Sequence, residues 1–186
     1  MKTIETDRLV LRNFRAGDAE AMFEYLRDPA ASCFLSLKLA DRQEAEEAAR
    51  RRAADDEYIA VCLKDTDQLV GDLFAVAEGD DDADTFSVGW NFNPRFGGKG
   101  YAFEAASALL SRLFTAGGGR RIYAYVEDHN AASQRLCSKL GMREEGRFIE
   151  FVSFRKDEAG NPVYENTLQY AILRREWEAA VSASQL

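Results

Sequence analysis

The segment with the clearest chemical potential is Asn91-Phe92-Asn93-Pro94-Arg95-Phe96-Gly97-Gly98-Lys99-Gly100-Tyr101-Ala102. Its glycines permit a tight turn and a close approach of the backbone to a ligand. The residues that follow, 101–115, place Ala102, Ala105, Ala106, Leu109, Leu110 and Leu113 at helical spacing. A helix therefore starts where the glycines end. A helix start offers unpaired backbone N–H groups and the positive end of the macrodipole, which together suit a phosphate. Arg95 and Lys99 add positive charge. The same stretch also reads as a glycine-rich strand-to-helix turn that holds nothing. Two phosphate loops are excluded. A Walker A loop needs Gly, four residues, then Gly-Lys-Ser/Thr, whereas Gly98-Lys99 is followed by Gly100, and Asn93 stands at the first glycine's place. A dinucleotide fingerprint needs a third glycine, and Phe103 occupies that position.

Other chemical groups are sparse. His129 is the only histidine, so a histidine-rich zinc site or a Ser-His-Asp triad has little to draw on. Cys33, Cys62 and Cys137 are odd in number and widely spaced, with no Cys-x-x-Cys. That pattern argues against a disulfide framework and fits a reducing, cytoplasmic compartment. The acidic stretch 78–84 (EGDDDAD) invites a calcium reading, but the EF-hand glycine and closing glutamate are missing. It reads as a solvated hairpin loop, and no metal is expected.

The elements that must position these groups can be read from periodicity. Residues 8–12, 58–63, 69–76, 86–92, 121–126, 148–154 and 167–173 read as strands. Helices are expected after Asp18, over 41–54, over 101–115 and over 131–140. Asp28-Pro29, Gly117-Gly118-Gly119, Gly141 and Gly160-Asn161-Pro162 mark the breaks. No repeat, linker or domain boundary interrupts the chain, so residues 1–186 are expected to form a single domain. The mixture points to an α/β (α+β) domain around one sheet.

The chain has 186 residues, with 24 Lys+Arg against 32 Asp+Glu and a net charge of -8. That balance argues against wrapping nucleic-acid phosphates, which needs a basic footprint. It argues equally against a polybasic membrane anchor. No secretory h-region and no membrane-spanning apolar run is visible. An acidic field favours cationic partners such as amines.

Four ordered segments give the chain a resemblance to the GCN5-related N-acetyltransferase (GNAT) superfamily, most closely its RimJ/RimL-type branch of ribosomal-protein N-terminal acetyltransferases. They are Glu5-Thr6-Asp7-Arg8-Leu9-Val10-Leu11-Arg12 with Gly17-Asp18-Ala19, then Arg95, Gly98 and Gly100 followed by Tyr101-Ala102-Phe103-Glu104-Ala105, then Asn130-Ala131-Ala132-Ser133 with Lys139-Leu140-Gly141-Met142 and Glu145-Gly146, and last Tyr170-Ala171-Ile172-Leu173 with Glu176-Trp177. The resemblance implies a strongly twisted mixed sheet of about seven strands with helices on both faces. Two central strands splay apart, and acetyl-CoA enters between them. Main-chain N–H groups from Phe96, Gly97, Gly98, Lys99 and Gly100 would hold its pyrophosphate. The backbone of Asn91 and Phe92 would pair with the pantetheine arm, Asn130 would bond that arm from the other side, and Ser133 would support it. Asn130 also reads as an ordinary helix cap.

The implied reaction is direct transfer of an acetyl group to a primary amine, a protein N-terminus or a small amine, by a monomer or homodimer. A neutral amine attacks the thioester carbonyl, a backbone N–H near Phe92 stabilises the oxyanion, and CoA leaves as a thiolate that takes a proton. Two positions depart from common family patterns. Ser87 stands where many members carry a glutamate, and Cys137 where many carry a tyrosine acid. Cys137 is thus a candidate proton donor, though a buried structural thiol is the commoner outcome. Asp72, Glu150 and Glu165 are carboxylates that strands could bring to the cleft, and His129 reads as an exposed loop residue. A small-amine or antibiotic-modifying enzyme and a non-catalytic CoA-binding module remain alternatives. The segments 29–56 and 155–166 would set the acceptor.

Overall fold

Short apolar runs separated by turns form strands here, and the longer amphipathic runs form helices. In chain order these are β1 (Ile4–Glu5), β2 (Leu9–Arg12), α1 (Ala19–Leu26), α2 (Arg42–Ala53), β3 (Tyr58–Leu63), β4 (Leu69–Ala77), β5 (Thr85–Phe92), α3 (Tyr101–Thr115), β6 (Arg121–Glu127), α4 (Ala131–Lys139), β7 (Arg143–Lys156), β8 (Pro162–Leu173) and α5 (Arg174–Ala183). A six-residue 3₁₀ segment, Ser32–Leu37, lies between α1 and α2. This computed structural model describes residues 2–79 and 84–183. Most of the acidic stretch considered for calcium falls outside them. Among the described residues no cluster of His, Cys, Asp or Glu is arranged to hold a metal. No helix among them is long and apolar enough to cross a membrane.

All strands join one sheet in the order β1-β2-β3-β4-β5-β6-β8-β7. Every neighbouring pair is antiparallel except β5 and β6. The expected mixed sheet flanked by helices is present. Among the described residues it has eight strands rather than seven, because the two-residue β1 adds an edge.

Strand alternation divides the buried residues between the two faces. One face packs Val88, Ile122, Ala124 and Val126 against Ala105, Leu109, Leu110 and Phe114 of α3 and Leu136 of α4. The other packs Ala60, Cys62 and Leu69 against Met22, Tyr25 and Leu26 of α1 and Ala45, Ala48 and Ala49 of α2. The bidentate pair of Arg12 with Asp18, both contacts at 2.9 Å, is buried on the second side. Besides β1 and the Ser32–Leu37 segment, which were not expected, the structure departs from the expected elements mainly at the C-terminal end. There β7 and β8 are longer than 148–154 and 167–173, and register shifts at Glu144/Gly146, Phe148/Val152 and Ser153/Arg155 break β7's alternation. Helix α5 was not expected. It buries none of its residues fully, and is fixed by Trp177 stacking on Phe114 at 5.4 Å.

Candidate active site

The site begins where β5 and β6 part. These parallel strands pair only over Thr85–Arg121, Phe86–Ile122 and Ser87–Tyr123. Beyond that, β5 continues to Phe92 and β6 to Glu127 with no ladder between them. Hydrogen-bond direction alternates along each strand. On β5, Glu78 N–H donates to Thr85 O and Asn93 N–H donates to Val70 O, both towards β4. The peptide groups of Val88, Trp90 and Phe92 therefore face the gap, while Asn91 faces β4. On β6, Arg120 O and the amide of Asp128 bond to the β8 side, so Tyr125 and Glu127 present theirs to the gap. An extended polar ligand can pair with these open edges as an added strand would.

Two cavities flank the gap. One, about 320 Å³, is lined by Cys33, Phe34, Asp72, Phe74, Ser87, Gly89, Trp90, Tyr125, Glu127, Asn130 and Ser133, among others. Its mainly apolar wall is closed by the Ser32–Leu37 segment. The other, about 250 Å³, lies between the glycine loop, α3 and α4, with Phe92, Gly98, Gly100, Arg135 and Lys139 in its wall. Gly89 must lack a side chain, because a Cβ there would sit 2.1 Å from the Phe74 ring.

Two carboxylates face the first cavity from opposite strands. Asp72 on β4 is 3% exposed. It accepts a 2.6 Å hydrogen bond from Tyr25 Oη, and Arg52 Nη1 lies 3.1 Å away, near enough for an ion pair but poorly aligned for a hydrogen bond. Burial pushes the Asp72 carboxyl above its usual range, with Arg52 and Tyr25 opposing. Glu127 at the end of β6 is 4% exposed. It accepts hydrogen bonds from Cys33 N–H at 3.0 Å and Asn130 Nδ2 at 3.3 Å. Burial pushes this carboxyl up too, but donors from Cys33, its own backbone and Asn130 prevail and hold it below the usual range.

The glycine loop turns through two left-handed residues and leaves amides open. Gly98 and Gly100 have φ of +73° and +82°, which L side chains rarely adopt. A Cβ at Gly98 would meet nothing within 4 Å, so that turn faces open space. The Phe96 and Gly97 amides donate to Asn93 O and Pro94 O within the 3₁₀ turn. Among the described residues the amides of Gly98, Lys99 and Gly100 have no intramolecular acceptor. The open donors thus form a narrower set than the Phe96–Gly100 run expected from the sequence. The loop is clamped from the N-terminus: Arg8 donates from Nε to Glu104 Oε2 at 2.7 Å and from Nη1 to Lys99 O at 3.0 Å, and Thr6 Oγ1 donates to Glu104 Oε1 at 2.6 Å.

Several expected residues stand elsewhere. Arg95 Nη1 pairs with Glu24 Oε2 at 2.9 Å, so its charge is matched within the chain. Lys99 Nζ lies over the Phe96 ring at 5.5 Å. The cations lining the loop-side cavity are Arg135 and Lys139 on α4, which sequence reasoning passed over. Asn130 is the α4 cap, its Oδ1 accepting from Ser133 N–H at 3.1 Å, and it also lines the larger cavity. Ser133 Oγ accepts from the Trp90 indole at 3.1 Å. Cys137 is fully buried in the α3/α4 core and lines neither cavity. Burial pushes its thiol to about 12. Glu150 sits at a β7 irregularity with φ +50° and lies in neither cavity. Glu165 is buried and accepts from Ser32 Oγ at 2.5 Å. His129 is exposed beside Asp128. Sequence reasoning missed Glu127. Its signal was its place at the end of β6, three residues before the Asn130 cap.

A parallel pair that splays within a mixed sheet, over a glycine loop of open amides, leaves two unpaired backbone edges and a run of free donors along one gap. Comparison with known proteins makes this specific. Residues 8–143 match the acetyltransferase (GNAT) domain model. The uncharacterised N-acetyltransferase YnaD of Bacillus subtilis is 34% identical over 176 residues, covering 94% of this chain and 98% of that protein. The crystal structure of a GNAT-family acetyltransferase from Bacillus anthracis, 29% identical, superposes with a TM-score of 0.82 over 93% of this chain and 99% of that one. RimL, described as a ribosomal L7/L12 alpha-N-protein acetyltransferase in complex with coenzyme A, shares the fold at 15% identity with a TM-score of 0.73, covering 92% and 98% of the two chains. The chain belongs to the GNAT family and is an N-acetyltransferase. The family uses acetyl-CoA.

Proposed function

We propose that this single-domain protein transfers the acetyl group of acetyl-CoA to a primary amine by direct attack within a ternary complex. The carrying observation is the gap between β5 and β6, which opens on a cavity at either face. The open amides of Gly98, Lys99 and Gly100, with Arg135 and Lys139 behind them, hold the pyrophosphate. The gap-facing peptide groups of Trp90 and Phe92 pair with the pantetheine arm. Asn130 and Ser133, which line the larger cavity together with Trp90, flank that arm from the other side. Acetyl-CoA supplies an activated acyl group. The chain's part is to align it, exclude water and admit the amine from the α1/α2 side of the sheet. A gap-facing backbone N–H near Phe92 stabilises the oxyanion. Cys137 takes no part, because it reaches neither cavity.

The acceptor is a protein N-terminal amine, as in the RimJ/RimL branch, a reading supported by the ordered motifs and by the fold shared with RimL. The test is release of CoA thiol with N-terminal peptides beside small amines, together with acetyl-CoA binding by Gly98→Trp. Thiol release with peptides and lost binding in the variant are expected. Unchanged CoA affinity in Gly98→Trp overturns the cofactor site, and turnover confined to small amines overturns the acceptor.

A further inference from the structure

We propose that Glu127 anchors a second positive charge on the acceptor, so that the enzyme selects primary amines carrying another basic group; this rests on the acetyl-transfer reading above.

The argument is one of charge balance in the larger cavity. Its wall contains two ionisable carboxylates, Asp72 and Glu127, and no lysine or arginine. Asp72 already has Arg52 at 3.1 Å and the Tyr25 hydroxyl at 2.6 Å. Glu127 has no such partner. Among the described residues no Lys, Arg or His nitrogen comes within 4 Å of it. Its donors are neutral: Cys33 N–H at 3.0 Å, Asn130 Nδ2 at 3.3 Å and Ser32 Oγ at 3.5 Å. Glu165, which shares the Ser32 hydroxyl, is matched by Arg155 Nε at 3.4 Å. Glu127 therefore carries the uncompensated charge of a cavity whose other walls include Phe34, Leu37, Phe74 and Trp90. A buried carboxylate held only by neutral donors is completed by a cation that enters with a ligand. Tyr125, 47% exposed and in the same wall, offers that cation an aromatic face.

The cation on Glu127 is not the attacking nitrogen. That nitrogen must lose its proton to attack, and a carboxylate beside it favours the protonated form. The charge therefore belongs to a different basic group of the same acceptor. In a small acceptor it is a second ammonium. In a peptide it is a Lys or Arg side chain close to the N-terminus.

The experiment measures initial rates of CoA thiol release by the full-length protein. One arm compares butylamine with 1,4-diaminobutane, and the other compares the peptides Ser-Ala-Ala and Ser-Lys-Ala. In the better arm, kcat/KM for the dibasic member is expected to exceed that of its monobasic partner at least tenfold. Glu127→Gln is expected to bring that ratio to within twofold, whereas Glu127→Asp, which keeps the charge, retains a preference. The arm that shows the ratio identifies the source of the charge. Equal rates for monobasic and dibasic acceptors in both arms overturn the proposal, as does a ratio that survives in Glu127→Gln. Calorimetric binding of acetyl-CoA separates the two readings. Binding with turnover but no dibasic preference sinks only the Glu127 anchor, while absence of binding or of thiol release with every acceptor sinks the acetyl-transfer reading and the anchor together.

Discussion

The indole Nε1 of Trp90 donates to the hydroxyl of Ser133 at 3.1 Å, joining β5 to α4 at the point where β5 and β6 have separated. Both residues line the larger cavity, so this bond braces the wall against which the pantetheine arm is proposed to lie. Ser133→Ala leaves the indole N–H without its partner, a loss of about 1–2 kcal/mol. The Asn130 cap survives, since it receives the Ser133 amide rather than the hydroxyl. Thermal unfolding is expected to show the small loss. Acetyl-CoA KM is expected to rise several-fold, and an unchanged KM would separate the brace from the cofactor path.

Gly98 tests the loop in a different way. Its φ of +73° strains any L residue, but a Cβ there would meet no atom. Gly98→Ala should therefore cost only about 1–2 kcal/mol of local strain, without a clash. If that strain moves the open amides of Gly98–Gly100, acetyl-CoA affinity falls about tenfold while the melting temperature drops by only a few degrees. Calorimetric titration beside a thermal melt checks the pair. A large stability loss with intact affinity would place the loop's role in folding instead.

Asp72 and Glu127 face one cavity and titrate in opposite senses. Donors from Cys33 and Asn130 outweigh burial at Glu127, so its folded value lies below the usual 4.5. Its contribution to stability is then present above pH 4.5 and lost as pH falls through the lower folded value. At Asp72 burial prevails over Arg52 and Tyr25, so its folded value lies above 3.8. That contribution is present below pH 3.8 and lost as pH rises through the raised value. Urea unfolding over a pH series should show the advantage of wild type over Glu127→Gln shrinking on acidification below pH 4.5. Asp72→Asn should gain on wild type as pH rises above 3.8, about a constant offset from the unpaired Arg52. The same sign for both variants would contradict the assignment.

Arg12 and Asp18 form a fork-to-fork pair with both side chains buried, and Asp18 also accepts from Arg15 N–H at 2.7 Å. Arg12 Nε also donates to Asp67 Oδ1 at 2.9 Å, so Asp18→Asn removes the buried fork but leaves the guanidinium one carboxylate, and is expected to cost about 1.5–3 kcal/mol. Chemical denaturation measures it, and a loss under about 1 kcal/mol would mean that water reaches the pair.

Much of this arrangement could be read from residue order. Sequence located β3, α3 and α4 almost to the residue, because β3 is a continuous apolar run, α3 carries an apolar face over its whole length, and α4 is bounded by the Asn130 cap and Gly141. It missed half of β7, where exposed residues and bulges erase the alternation. The glycine loop was legible because only positive φ explains Gly98 and Gly100 so close to a helix start. Its partners were not legible: Arg8 meets Lys99 and Glu104, and Arg95 meets Glu24, across 71 to 96 residues of chain. Glu127 was equally hidden. Its environment comes from Cys33 on a 3₁₀ segment far away in sequence, and only tertiary structure sets a carboxylate without a cation in an apolar wall.

Cys137 gives the last test, because motif position and geometry disagree about it. Its alignment with a common tyrosine acid makes it a candidate proton donor for the departing thiolate. Its surroundings do not. The side chain is 0% exposed within the α3/α4 core, lines neither cavity, and its thiol is pushed to about 12 by burial. A group that transfers a proton in the rate-limiting step contributes about 10²–10⁴-fold to the rate. A packed thiol contributes stability alone, of order 1 kcal/mol for the atoms removed on truncation to alanine. Cys137→Ala is therefore expected to keep kcat within about twofold while lowering the melting temperature by a few degrees. A hundredfold fall in kcat with an unchanged melting temperature would return the proton to Cys137. Proton delivery would then require a rearrangement of α4 that exposes this residue to the gap.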